Sequence, residues 1–82
     1  MIRGALLLAL LTPLPAPAEI TPFARHVATH VVAHELAHAL IREFDLPVLG
    51  PEEAMADTFA TLFVAHAWPE RAEAVVRDRA RS

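Results

Sequence analysis

The chain has 82 residues, no cysteine and a formal net charge of −3, and all seven of its basic residues are arginine. Disulfides and thiolate ligands are thereby excluded, so any metal chemistry has to run through histidine and carboxylate. The acidic balance argues against nucleic acid as a partner. Arg71, Arg77, Arg79 and Arg81 alternate with Glu70, Glu73 and Asp78, which reads as a solvated helix face.

The first eighteen residues read as an export signal. Arg3 supplies a positive start, Gly4 to Leu11 is an almost uninterrupted run of Ala and Leu, and Ala16-Pro17-Ala18 fits a small-x-small cleavage site. The apolar run is far shorter than the roughly 20 residues a spanning helix needs, and prolines follow it. Cleavage near Ala18 with delivery to the periplasm or the exterior is therefore expected; the alternative is a membrane anchor formed by residues 4–11. The domain reading is a signal peptide over 1–18 and one helical domain over 19–82. A domain of that size falls short of the roughly 70 to 80 residues at which one hydrophobic core suffices. With disulfides excluded, a metal or a partner is the expected staple.

Three helices are expected, and no segment alternates as a strand. Thr21-Pro22 opens the first, threonine as cap and proline at the first helical position. Val27, Val31, Leu36, Ala39, Leu40 and the histidines then recur at helical spacing to about Phe44, where Leu46-Pro47 and Gly50-Pro51 stop it. The second starts at Pro51 with Glu52 and Glu53 in its first turn, where the helix dipole favours anions. Met55, Phe59, Leu62, Phe63 and Ala67 predict its buried stripe, with Phe59, Phe63 and Trp68 as core. The third runs from Pro69 to about Arg81 and is amphipathic through Ala72, Val75 and Val76. The fold class is all-α.

The chemistry is concentrated in His34-Glu35-Leu36-Ala37-His38, an HExxH pattern. Residues four apart share one helix face, so both imidazoles can reach one ion, while Glu35 lies about 100° round the helix. Such a catalytic site needs a third protein ligand and an open position for water. Glu53, across a short turn, is the candidate, and Asp57 one turn further on can accept the outer ring N–H of a histidine ligand. Two alternatives stay open: Glu52 in place of Glu53, since neighbours on a helix point about 100° apart, and Asp57 as the ligand itself. His26 and His30 extend the ladder of His34 and His38 at four-residue spacing and are expected to be structural.

HExxH followed by a helix bearing Glu-x-x-Ala-Asp resembles the glutamate zincins, metallopeptidases whose downstream glutamate is the third zinc ligand. The longer run HELAHALIREFDLPVLGPEEAMADTFAT is similar to a narrower family of exported bacterial metallopeptidase-like proteins of uncharacterised activity. The resemblance implies Zn2+ on His34, His38 and Glu53, Glu35 as general base, Asp57 orienting a ligand, and a peptide or protein as substrate. Ala37 stands where such families often place glycine. Zincins also carry a sheet ahead of this helix and a Tyr or His beside the oxyanion. No tyrosine is present, and His26, His30 and His66 are the candidates for that role. The expectation is a site truncated relative to full zincins, with a protein partner or a second copy completing the cleft. The competing reading is a non-catalytic metal-binding or interaction module derived from a metallopeptidase.

Overall fold

The computed structural model describes residues 19–82, so the expected signal segment lies outside the described residues. These residues form three helices and no strand: α1 (Pro22–Phe44), α2 (Glu52–Ala67) and α3 (Pro69–Arg81). None of the described helices is long and apolar enough to cross a membrane.

Helix α1 begins where the sequence dictates. The Thr21 hydroxyl accepts the Ala24 N–H at 3.1 Å, satisfying one of the orphan donors of the first turn, and Pro22 takes the first helical position. At its far end Asp45 turns left-handed (φ 49°), and the Leu46 N–H closes on the Ile41 carbonyl at 3.1 Å. Gly50 sits at φ +109°, a backbone region that side chains avoid, and there the chain reverses into α2. Trp68 alone separates α2 from α3: its N–H bonds to the Val64 carbonyl and its carbonyl accepts from the Arg71 N–H.

The register of the helix pair follows from its polar contacts. His30 meets Thr61, His34 meets Asp57 and Glu53, and His38 meets Glu52 and Glu53, so α1 and α2 run antiparallel. Helix α3 returns alongside α1, joined to it by His26 and Asp78 at 2.7 Å. Its inner face carries the buried Val75, flanked by the half-buried Ala72 and Val76 as its spacing predicts.

The buried face of α2 differs from the expected stripe. Ala56, Ala60 and Val64 are the buried residues, whereas Leu62 is 64% exposed and Met55, Phe63, Ala67 and Trp68 also lie open to solvent, with Phe59 half-buried. On α1 the buried residues are His30, Ala33, His34 and Ala37, while Val31 and Leu36 of the expected pattern are exposed. The cause is polar. Helix α2 is apolar on nearly every side, so hydrophobicity does not choose a face. The carboxylates and hydroxyl at 53, 57 and 61 do, by turning toward the histidines of α1. The alanines at 56 and 60 come with them and let the two helices approach closely. Phe63 is accordingly not core; it stacks with Phe59 and meets the Trp68 ring edge-on, at centroid separations of 5.8 and 5.9 Å.

A large side chain should not fit this interface. Ala60→Leu is expected to destabilise the domain by about 1 to 3 kcal/mol through overpacking, whereas Leu62→Ala stays within about 0.5 kcal/mol because its surroundings are solvent. Urea midpoints of the two variants check this, and equal midpoints would refute the packing assignment.

Candidate metal centre

Position 34 places its imidazole between α1 and α2, almost fully buried, and position 38 places a second one turn higher at the more open end. The rings meet edge to face with centroids 4.8 Å apart. Glu53, in the first turn of α2, reaches over both: Oε2 lies 2.9 Å from His34 Nε2 and Oε1 lies 3.0 Å from His38 Nε2. The two Nε2 atoms are 3.1 Å apart. Donor atoms of His34, His38 and Glu53 thus form one cluster that could hold a metal ion, and it is the only such group of three among the described residues.

The outer ring nitrogens decide what the inner ones offer. His34 Nδ1 donates to Asp57 Oδ1 at 2.7 Å, and His38 Nδ1 donates to Glu52 Oε2. Each carboxylate fixes its imidazole as the Nδ1–H tautomer, which leaves both Nε2 lone pairs pointing inward at the Glu53 oxygens. With both imidazoles neutral, three acceptor groups then converge. A cation resolves that repulsion, and for ligand bonds of about 2.0 to 2.1 Å the separations are near those of a tetrahedral edge. The donor set therefore fits a metal ion.

Glu52, set against Glu53 on the ground that only one of two neighbours can face the site, is also present at it. The two carboxylates divide the work, Glu53 meeting inner nitrogens of both histidines and Glu52 the outer nitrogen of His38. Nothing in the spacing signalled this, because it depends on how far the first turn of α2 overhangs α1. Glu35 is exposed and is not one of the converging donors, though its charge reaches His38. Ala37 is buried in the interface between helices, where its methyl is accommodated.

The remaining histidines are occupied elsewhere. His26 pairs with Asp78, and His30, 3% exposed, bonds through Nε2 to the Thr61 hydroxyl at 3.1 Å while its Nδ1 is buried without a partner. His66 lies thirteen residues along α2 from Glu53, about 20 Å away at 1.5 Å per residue. None of the three stands at the donor cluster.

Burial holds the His30 pKa below its ordinary 6.5; the nearby Asp57 charge opposes the shift, and Arg79 and His34 reinforce it. His38 moves the other way. Its hydrogen bond to Glu52 raises it, the charges of Glu53, Glu52 and Glu35 add to the effect, and burial opposes it.

Two histidines at i and i+4 on one helix and a carboxylate from an antiparallel neighbour define a helix-pair site of the kind HExxH metallohydrolases use. The comparison with protein families agrees: the family DUF4344, described as putative metallopeptidase, matches residues 16–82, and the chain belongs to it. No curated protein and no solved structure matches the chain.

Asp57 offers a direct test of the tautomer argument. Asp57→Asn is expected to weaken metal binding by about ten- to a hundredfold while leaving the stoichiometry unchanged. Metal titration followed by calorimetry reads both quantities, and an unchanged affinity would show that the His34–Asp57 bond does not prepare the ligand.

Proposed function

We propose that this protein is an exported zinc metallopeptidase of the glutamate-zincin type, in which His34, His38 and Glu53 hold the metal and Glu35 is the general base. The observation that carries the reading is the convergence of His34, His38 and Glu53 at about 3 Å, each histidine backed by its own carboxylate. Two nitrogens and one oxygen with a position left for water is a catalytic zinc set rather than a closed structural one.

Bound there, zinc supplies Lewis acidity toward a carbonyl oxygen and lowers the pKa of water toward about 7. The chain supplies the rest. Asp57 and Glu52 hold the imidazoles in one tautomer and one orientation. Glu35, about 100° round α1 from His34 and outside the donor cluster, takes a proton from the attacking water on its carboxylate and returns it to the departing amine. Water adds to the peptide carbonyl, the C–N bond breaks, and an acid and an amine leave.

Export fits a chain with no cysteine and an apolar, proline-terminated start, and places the mature N-terminus at Glu19. The test of the function is metal-dependent hydrolysis of an unfolded protein such as casein by the purified chain. Activity should vanish with a chelator and return with one equivalent of zinc. Turnover that survives exhaustive metal removal would overturn the reading.

A further inference from the structure

We propose that the groove along the outer face of α1 binds the C-terminal segment of an apolar peptide, its free carboxylate held between Arg25 and Arg71. The proposal rests on the peptidase reading for its substrate class but not for its geometry.

Ile20, Val32, Leu36, Phe63 and Trp68 line an open groove of about 520 Å³ whose wall is almost wholly apolar. Val32 is 67% exposed, and the other four are also exposed, so this face is an open apolar surface outside the domain's own core. Arg25, Thr29 and Trp68 belong both to this groove and to a second cleft of about 410 Å³ between the starts of α1 and α3. That cleft adds Arg71 and His26 and has no acidic side chain on its wall. Asp78 is committed to His26 at 2.7 Å, and neither Arg25 nor Arg71 makes an ion pair among the described residues.

In a chain of net charge −3, two unpaired arginines from different helices facing one cleft select an anion. Their planar forks suit a carboxylate, which each can engage through two parallel hydrogen bonds. The ligand this describes has an apolar body and one terminal carboxylate. The groove's other end is Leu36, next in sequence to Glu35. From Arg25 to Glu35 is about 15 Å along the helix, which an extended peptide covers in about five residues. Val32 and Leu36 lie about 160 to 200° round α1 from His34, so a peptide anchored by its C-terminus runs along the face of α1 opposite the donor cluster, and binding rather than cleavage is what the groove is expected to show.

Trp68, the chain's one tryptophan, lines both compartments, and with no tyrosine present its fluorescence reports binding directly. The purified chain, stripped of metal and shown by circular dichroism to keep its helices, is titrated with an N-acetylated hexapeptide of alanine, valine and leucine as free acid, with the same peptide as C-terminal amide, and with decanoate. The acid is expected to saturate the signal, and the amide to bind about tenfold or more weakly, since hydrogen bonds to a charged group are at stake. Arg25→Gln and Arg71→Gln should each bring the acid close to the amide without altering the amide. Equal affinities for acid and amide would overturn the proposal, as would decanoate binding where the peptide acid does not. Because the titration needs no metal, it is separable from catalysis. Acid-selective binding with no cleavage of casein by the zinc-loaded protein sinks the peptidase reading and keeps the groove, whereas cleavage of casein with equal affinities for acid and amide does the reverse.

Discussion

Replacing His34 and His38 together by alanine is expected to abolish metal binding and, with it, most of the stability that zinc confers. In the wild-type chain one zinc should bind per molecule, and free zinc at about a hundred times its dissociation constant adds about 2.7 kcal/mol to the folded state by linkage. For a domain of this size that raises Tm by about 10 to 20 °C. The double variant should show no bound zinc and no such shift. The effect is large because the domain has little else: its largest fully buried side chains are Val64 and Val75, and alanines make up most of the rest of its apolar core.

The pH dependence of that binding has a defined sign. His38 has its pKa raised above 6.5 in the metal-free fold, so a proton competes with the metal at this residue. Zinc affinity should therefore weaken as pH falls through the raised value, each binding event releasing a proton. Metal content by mass spectrometry of the native protein, with thermal melts at several zinc concentrations, checks both parts. A wild-type melt indifferent to zinc would refute the site, and an equal shift in the double variant would move it elsewhere.

The elements of the fold were legible because their ends carry unambiguous chemistry. Thr21-Pro22 can do little but open a helix, Gly50-Pro51 can do little but break one, and Trp68-Pro69 marks the corner between α2 and α3. The face each helix buries was not legible, since α2 offers apolar residues in every direction and the largest of them face out. What chose the face was a ladder of polar pairs between helices: His30 with Thr61, His34 with Asp57, His38 with Glu52. Each partner is visible in the sequence, but its pairing depends on the relative height of the two helices, which is set by a seven-residue turn whose shape no periodicity encodes. For the same reason the HExxH spacing pointed to His34 and His38, while the sharing of His38 between Glu52 and Glu53 emerged only in three dimensions. The groove beside Arg25 and Arg71 belongs to this second kind, because it joins side chains 46 positions apart.

Glu35→Gln is expected to lower kcat by about 10² to 10⁴, the range a positioned general base contributes, while one zinc remains bound with little change in affinity. The two halves of that expectation come from one geometric fact. Glu35 lies outside the cluster of His34, His38 and Glu53, so its loss leaves the metal's ligands and their carboxylate supports intact. Glutamine keeps the size and reach of the side chain but has no carboxylate to receive a proton, so substrate binding should persist and KM should change far less than kcat. A purely structural metal would give a different pattern: no hydrolysis in either protein and no penalty for the substitution. Measured side by side, zinc content, kcat and KM separate these cases. Undiminished turnover in a clean Glu35→Gln preparation would remove the general-base role, whereas loss of zinc together with activity would place Glu35 among the ligands and require the set around His34 and His38 to be redrawn.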